Sequence, residues 1–346
     1  MDFSLHRDFT ELDGLAPGWN DLLSGSSTHV PFLRYEYLHA WWQTRGGGEW
    51  PNAELAVILA HQDGKLAGIA PLFFSPNLEG DPALLLLGSI EISDYLDVIV
   101  PPGNLPAFLA GLLDFLSREA EPGTVSGFLP WKVLDWHNLP DGSPTLPALK
   151  DATERRGLVY SQQQTYHAPS IPLKGDFEGY LAGIDKKQRH EIRRKMRRME
   201  ESGLEHRWYI ATDPATLETE VEAFLELMAS DPSKANFLTP AMRTQMQTIC
   251  RAALDGGWLQ LAFLEIEGSK AAGYLNFDYQ DRIWVYNSGI DNRFGEYSPG
   301  WVLLGHLLQW ANENQRSEFD FMRGNEAYKY RFGGVDHLLV RAKVSR

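Results

Sequence analysis

WLQLAFLEIEGSKAAGYLNFDY, residues 258–279, contains two apolar runs separated by the short turn Glu267-Gly268-Ser269-Lys270. Two such runs around a glycine-containing turn predict an antiparallel hairpin. The stretch ELAVILAHQDGKLAGIAPLFF, residues 54–74, has the same form, with the hairpin dipeptide Asp63-Gly64 near its centre. Gly68 and Gly273 fall at matching places in the second runs, so the hairpins predict two copies of one fold.

The segments after the two hairpins also correspond. Residues 84–88 parallel residues 283–289; each is followed by a loop, an apolar helix (105–117 and 300–314) and a short strand, near Val125–Phe128 and Glu318–Phe321. This shared order predicts a mixed sheet flanked by helices in each copy. A period of about 200 residues is the size of a domain, and 346 residues exceed one ordinary core. We therefore expect two domains, 1–165 and 166–346.

Two further helices are predicted before the second hairpin. One runs from Pro214 to about Ser230, with Thr212 or Asp213 as its N-cap. The other begins at Pro240, is capped by Thr239 and ends at the Gly256-Gly257 pair. Because a strand near residues 204–210 precedes both, the second half reads strand, two helices, three antiparallel strands, helix, strand, helix and strand.

This order is similar to the GNAT acyltransferase fold, and two such units in tandem resemble the FemAB-like transferases and the CelD-like acetyltransferases associated with cellulose and exopolysaccharide clusters. Three signatures carry the resemblance: PFLRYEY at 31–37 with AWW at 40–42, QRHEIRR at 188–194, and FDFMRGNEAYK at 319–329. The resemblance implies an α/β protein with mixed α+β sheets in two tandem GNAT-like domains. It also implies acyl-CoA as co-substrate and chemistry in the C-terminal domain, the N-terminal domain being a degenerate copy.

The loop 288–300 precedes the second apolar helix. In the GNAT enzymes that the chain resembles, this turn holds the pyrophosphate of coenzyme A, and helix N-termini favour anions in general. With Ser298 as the expected N-cap, the predicted donor contacts are Ser288, Arg293, Gly295, Ser298 and Gly300. Glu296 departs from the GNAT pattern and is a poor neighbour for phosphate. An ordinary capped helix start is the alternative interpretation.

The segment 320–329 places five polar or ionisable side chains just after a predicted strand. An amine acceptor needs a base, and a thiolate leaving group needs a proton. Supported by the resemblance, we predict Glu326 or Asp320 as the base or acceptor anchor, Tyr328 as the acid or binding group, and Lys329 and Arg323 as anion contacts in substrate binding. A surface salt-bridge cluster is the alternative.

A basic segment lies within an acidic chain: residues 185–200 contain eight Lys or Arg residues, against a net charge of −14. Ile192, Met196 and Met199 form a stripe at helical spacing, which predicts an amphipathic helix. Its basic face, 186–198, is a candidate contact for a polyanion: tRNA, a nucleotide-linked sugar or the donor's phosphates. A solvated helix with one face on the core is the alternative.

The first copy differs from the second at the donor loop. Residues 89–97 hold the corresponding place but include Glu91, Asp94 and Asp97, whose charges disfavour a pyrophosphate. We therefore expect this domain to help form an acceptor cleft, with Asp94 and Tyr95 as acceptor contacts. Ordinary turn chemistry is the alternative.

Composition narrows the function classes. The one cysteine, Cys250, excludes an internal disulfide and any multi-cysteine metal site, and its apolar helical surroundings predict a buried thiol. No histidine pattern indicates a metal. No run approaches the roughly 18 apolar residues of a membrane helix, and the first residues lack signal-peptide order, so we expect no membrane span and a cytoplasmic protein.

These patterns lead to one hypothesis and two alternatives. The hypothesis is acyl transfer from a thioester, acyl-CoA, to an amine of a small molecule or a saccharide or cell-envelope precursor, with N–H groups near residues 286–288 as the oxyanion site. The first alternative is a FemAB-like transferase that uses aminoacyl-tRNA. The second is a non-catalytic binding module in exopolysaccharide assembly.

Overall fold

The computed structural model describes residues 1–121 and 129–346. They form two compact units, Met1–Tyr166 with Leu338–Arg346, and His167–His337. Each unit contains a mixed sheet with helices, so the predicted α/β fold class is confirmed. The expected strand near Val125–Phe128 lies outside the described residues.

The elements follow one another in chain order. Up to residue 167 they are β1 (Asp2–His6), α1 (Ala16–Ser24), α2 (Tyr35–Thr44), β2 (Glu54–Leu55), β3 (Val57–Gln62), β4 (Lys65–Ala70), β5 (Leu72–Pro76), β6 (Pro82–Leu86), α3 (Leu105–Glu119), β7 (Val133–Pro140), α4 (Thr145–Glu154) and β8 (Val159–His167). After it they are β9 (Ser170–Pro172), α5 (Phe177–Gly183), α6 (Lys186–Glu200), β10 (His206–Ala211), α7 (Leu217–Ala229), α8 (Pro232–Phe237), α9 (Pro240–Asp255), β11 (Leu259–Ile266), β12 (Ser269–Tyr279), β13 (Arg282–Ile290), α10 (Pro299–Glu313), β14 (Glu318–Asp320), α11 (Ala327–Arg331) and β15 (Leu338–Ser345).

In the first unit the predicted hairpin is divided between two sheets. β3 and β4 pair in the order β1-β3-β4, whereas β2 and β5 belong to the order β2-β5-β6-β7-β15-β8. The returning strand is interrupted at Pro71, which lacks the N–H needed to continue a ladder. β6 and β7 run parallel, and Val133–Pro140 is therefore the strand that follows the apolar helix in this sheet.

The last strand of the chain lies in the first unit, whereas we expected it in the domain 166–346. β15 pairs antiparallel with β7. Arg341 on β15 donates from Nε and Nη2 to the two carboxylate oxygens of the buried Asp135 on β7, at 2.7 and 2.6 Å. This two-point ion pair and the ladder hold residues 338–346 in the first sheet.

The acidic loop 89–97 is buried apart from Glu91, and the predicted acceptor contacts Asp94 and Tyr95 lie in its buried part. The Tyr37 hydroxyl donates to the carbonyl of Ile92 at 2.5 Å, and the Asn138 amide donates to the carbonyls of Ile90 and Ser93. Only 8% of Asp94 and 6% of Tyr95 is exposed. Apolar residues within the loop draw it into the core, which removes these two side chains from solvent.

The second unit has one six-stranded sheet in the order β10-β11-β12-β13-β14-β9. β10 to β13 are antiparallel, as the hairpin pattern predicts, and β13 runs parallel to β14. α6 and α10 pack on one face, where Ile192 and Val302 join Leu264 and Tyr274 in the core. α7 packs on the other face, so closely that a Cβ on Gly289 would lie 2.6 Å from the Leu227 backbone.

β13 has two irregular features near its C-terminal end. It pairs with β14 over Arg282–Trp284, whereas its pairing with β12 extends to Ile290. Among the described residues, the far part of its β14-facing edge therefore has no strand partner. The register with β12 shifts between Val285 and Asn287, which leaves Tyr286 as a bulged residue. Bulges of this kind redirect backbone groups at sheet edges.

The helices of the second unit begin at the predicted residues in some cases and not in others. Thr239 caps α9, as predicted, by accepting a bond from the Met242 N–H at 3.2 Å. The helix expected from Pro214 begins at Leu217 instead, because Asp213 accepts the Ala215 N–H and forms a separate turn. α6 has the predicted buried stripe, with Ile192 and Met199 each 1% exposed.

Candidate functional site

The segment after β14 forms a tight turn that leads into α11. Its backbone has positive φ at Met322 (54°) and Gly324 (119°). Asp320 is 4% exposed, and its carboxylate accepts the Met322 N–H at 2.6 Å, which holds the first of these residues in place. The structure thus assigns the buried Asp320 to the turn, whereas we had predicted it as a base or acceptor anchor.

Lys329 is the centre of this turn. Its ammonium donates to the carbonyls of Met322, Arg323 and Gly324 at 3.2, 2.8 and 3.2 Å. The side chain is only 4% exposed, and its fourth contact is a carboxylate oxygen of Glu326 at 3.0 Å. A lysine with these partners is not presented to an anionic ligand, so the structure places it as a support of the turn instead of a substrate contact.

Glu326 is the accessible carboxylate of the segment. Its side chain is 57% exposed, and it folds back over Gly324. A Cβ on that glycine would lie 2.4 Å from Glu326 Oε2. The glycine is therefore required twice, for its positive φ and for the position of the carboxylate. Arg323 is half-buried beside it, and its carbonyl is one of the acceptors of Lys329.

Tyr328 is largely buried on α11. Its ring meets Phe321 edge to face, with centroids 5.9 Å apart. Burial, and then the nearby Glu326 carboxylate, raises the pKa of the phenol above its ordinary value. The buried Tyr274, whose hydroxyl donates to the Gly300 carbonyl at 3.4 Å, has its pKa raised by burial and then by Tyr328. Both phenols therefore stay protonated at neutral pH and can donate a hydrogen bond.

A lysine that we did not predict lies at the end of β13. Lys234 on α8 donates to Asn287 Oδ1 at 3.0 Å and to the Ser288 carbonyl. Burial lowers its pKa, while the charges of Asp231 and Glu326 act in the opposite direction. In the sequence it is one lysine in a short polar stretch, and only the packing of α8 against β13 brings it near Glu326.

The loop 291–298 differs from the predicted donor site. It is a 3-10 turn, Asn292–Tyr297, and Ser298 precedes α10 with φ of 53° and no side-chain cap. Arg293 is tied to Asp291 by a forked ion pair with a shortest distance of 2.6 Å. The N–H groups of Arg293, Phe294 and Ser298 already have acceptors within the loop.

The other predicted donor contacts have the following surroundings. The Ser288 N–H bonds to its neighbour Asn287, and Gly300 packs against Ile290, where a Cβ would lie 2.5 Å from its Cδ1. A Cβ on Gly295 would meet no atom within 4 Å. Donor binding by this set stays a prediction.

The basic face of α6 borders an open groove of about 840 Å³. His190, Arg193, Arg194, Arg197 and Arg198 line it, with Glu296 and Tyr297 on the opposite side. Three of these arginines are already paired: Arg193 with Glu178, Arg194 with Glu191 and Arg198 with Glu296. Glu296 faces Arg198 at 3.8 Å, so it belongs to this groove and is not directed at the α10 N-terminus.

The described residues also bear on the expectations for a metal site, a membrane helix and the cysteine. No cluster of three His, Cys, Asp or Glu residues suited to a metal occurs among residues 1–121 and 129–346. In the same ranges, no helix has the length and apolar character for a membrane crossing. Cys250 is buried in α9, as predicted, and burial raises the pKa of its thiol to about 12.

Several solved structures have a fold similar to that of this chain. FemX is similar over 99% of this chain and 97% of its own, with a TM-score of 0.66 and 12% identity. A conserved protein of unknown function from Bacteroides thetaiotaomicron has a TM-score of 0.59 and 12% identity over 96% and 97%. L-PGS from Bacillus licheniformis has a TM-score of 0.55 and 12% identity over 90% and 91%. At these identities the likeness shows the fold alone.

Sequence comparison matches part of the chain to a known family. No curated protein matches the chain. Residues 186–330 match the family described as "Acetyltransferase (GNAT) domain", a range that runs from α6 to α11 and includes Lys234, Glu326 and Lys329. Residues 186–330 are therefore a GNAT domain.

Proposed function

We propose that the chain transfers an acyl group from acyl-CoA to an amine on a small molecule or on a saccharide or cell-envelope precursor. The observation that carries this proposal is Glu326: an exposed carboxylate held by the buried Lys329 and near Lys234 at the bulged end of β13. A positioned carboxylate beside a cation and a sheet edge suits proton removal next to a polarised carbonyl.

In this proposal Glu326 removes a proton from the ammonium form of the acceptor. The freed amine then attacks the thioester carbonyl carbon, which forms the C–N bond and places negative charge on the carbonyl oxygen. The β13 backbone near Tyr286 and the Lys234 ammonium stabilise that charge. Collapse of the tetrahedral intermediate breaks the C–S bond, and Tyr328 gives its proton to the departing thiolate while its oxygen takes the surplus proton from the nitrogen of the intermediate.

The assignment of Tyr328 as the acid rests on its burial. A phenol with a raised pKa is protonated at neutral pH, and it can pass its proton to the thiolate because it takes another from the more acidic nitrogen of the intermediate in the same step. The proposed reaction is direct attack by the amine, without a covalent enzyme intermediate. The buried Cys250 thiol is unsuited to act as a nucleophile, because burial raises its pKa.

Release of free thiol from acetyl-CoA tests the proposal. The wild-type chain is incubated with acetyl-CoA and a panel of amino sugars, amino acids and polyamines, and thiol is followed colorimetrically. We expect acceptor-dependent release with at least one amine. Absence of release with every amine, together with no change in melting temperature at millimolar coenzyme A, overturns the acyl-CoA assignment.

A second candidate is an aminoacyl-tRNA donor, which the arginine-lined groove on α6 favours. Its test is transfer of a radiolabelled amino acid from charged tRNA in the same acceptor panel. A non-catalytic binding module is the remaining alternative, and it predicts no transfer from either donor while a saccharide ligand still binds.

A further inference from the structure

A second cationic pocket lies on the other side of α6. It has a volume of about 340 Å³ and is lined by Lys187, Gln188, Glu191, Lys195, Trp301 and Arg331. These residues come from three helices, α6, α10 and α11, so the pocket exists only in the folded unit. We call it the Trp301 pocket.

Positive charge is in excess in the Trp301 pocket. Lys195 Nζ lies 3.6 Å from Glu191, but the same carboxylate forms a two-point ion pair with Arg194 at 2.8 and 2.9 Å. Within residues 1–121 and 129–346, neither Lys187 nor Arg331 has a carboxylate at ion-pair distance. Three cations therefore share one carboxylate that is already engaged.

Lys195 is held in place before any ligand arrives. Its ammonium lies 3.8 Å above the centre of the Trp301 ring, and its side chain is 17% exposed. Trp301 is itself supported by Phe332, with ring centroids 4.7 Å apart. Burial lowers the pKa of Lys195, and the charge of Arg331 lowers it further, while Glu191 acts in the opposite direction. An anion bound between these cations would favour the charged form of Lys195 and so oppose the influence of burial and of the Arg331 charge.

The pocket is better suited to an anion than the loop 291–298. There, the one cation, Arg293, is exposed and neutralised by Asp291, and Glu296 adds negative charge. In the Trp301 pocket, an ammonium on each of two turns of α6 and a guanidinium on α11 face a common space. Guanidinium and ammonium groups at several angles match the tetrahedral oxygens of phosphate.

We propose that the Trp301 pocket binds a phosphate group of a small organic phosphate that serves the transferase. The phosphate comes either from the donor, as in coenzyme A, or from a phosphorylated acceptor such as an amino-sugar phosphate. The binding site itself does not depend on the proposed acyl-CoA chemistry, and the choice of ligands separates the two sources.

Isothermal titration of the full chain tests the site. The probes are coenzyme A, pantetheine, glucosamine 6-phosphate, glucosamine and inorganic pyrophosphate. The variant is Lys187→Gln with Arg331→Gln, two exposed side chains whose loss leaves the core intact. Lys186→Gln is the matched control, since it removes one charge from the same turn of α6 outside the pocket.

We expect the double variant to bind the phosphate-bearing probes about tenfold or more weakly, as for the loss of a charge-assisted hydrogen bond. Lys186→Gln should bind them as the wild type does, and binding of pantetheine and glucosamine should not change. A loss confined to coenzyme A assigns the phosphate to the donor, and one confined to glucosamine 6-phosphate assigns it to the acceptor.

Three results overturn the proposal: equal affinities in the double variant and the wild type, an equal loss in Lys186→Gln, or no binding of any phosphate probe. Failure of the proposed function looks different. In that case pyrophosphate or glucosamine 6-phosphate binding still depends on Lys187 and Arg331, while acetyl-CoA gives no acyl transfer.

Discussion

The Lys329 ammonium lies 3.0 Å from a carboxylate oxygen of Glu326, and only the lysine of this pair is buried. The two residues therefore have separate tasks. Lys329 shares its three N–H donors between this carboxylate and three main-chain carbonyls and fixes the turn, whereas Glu326 keeps most of its carboxylate in contact with solvent. The predictions below separate catalysis by the carboxylate from support by the lysine.

Replacing Glu326 by Gln should lower turnover about 100- to 10,000-fold, the usual range for loss of a general base. Size and shape are kept, and the side chain is exposed, so the melting temperature should stay near that of the wild type. Thiol release from acetyl-CoA measures the effect, with the exposed Glu313→Gln as control. Wild-type turnover in Glu326→Gln would exclude this residue as the base.

Gly324→Ala should reduce turnover by displacing the Glu326 carboxylate, which lies where the new methyl group must go. In the double variant with Glu326→Gln, the second change should have little added effect, because both act on one group. Gly268→Ala is the control for left-handed strain, since it has φ of 70° and no atom within 4 Å of the added Cβ. Additive losses in the Gly324 and Glu326 variants would contradict this coupling.

Lys329→Met should mainly destabilise the second unit. It removes the shared donor of the carbonyls of the buried Met322 and the half-buried Arg323 and Gly324, and a buried carbonyl costs about 1–3 kcal/mol if it stays unpaired. Thermal unfolding should show a clear fall in melting temperature, with no fall for the exposed Lys174→Met. If the Lys329 variant instead melts like the wild type and only loses ligand affinity, the original prediction of a substrate contact is restored.

Tyr328→Phe should lose turnover and also change the stability profile at alkaline pH. Because the folded-state pKa of the phenol is raised above the ordinary value of 10.0, its contribution to stability is complete below pH 10. That contribution is lost as pH rises toward the folded-state pKa, since the unfolded chain releases the proton first. Melting temperatures measured between pH 8 and about 11 should therefore fall more steeply for the wild type than for Tyr328→Phe. Parallel curves would show that the phenol is not shielded.

Lys234→Met should lower turnover without lowering the melting temperature. The folded chain holds this ammonium at a desolvation cost, as its lowered pKa indicates. Methionine has a similar length and removes that cost, which offsets the loss of the bonds to Asn287 Oδ1 and the Ser288 carbonyl. The matched readouts are thiol release and thermal unfolding. A variant that keeps wild-type turnover would confine Lys234 to a structural role between α8 and β13.

The sequence alone determined the features that depend on local patterning. The hairpin at 258–279, the cap of α9 by Thr239 and the apolar stripe of α6 follow from the spacing of side chains within one element and from turn chemistry. The prediction for residues 320–329 also grouped Glu326, Tyr328 and Lys329, because the spacing of these residues places them within one helical turn.

Only the tertiary structure decided which of these groups are accessible and what they face. Lys329 and Asp320 are buried because a turn with positive φ folds the main chain around them. Asp94 and Tyr95 are buried by residues distant in sequence, and β15 pairs with a strand of the first sheet. The contact of Lys234 with Asn287 and the lining of the Trp301 pocket also depend on helices and strands that are distant in sequence. The burial of polar side chains and the sharing of charge between them depend on contacts between distant segments, so a local pattern of residue types does not determine them.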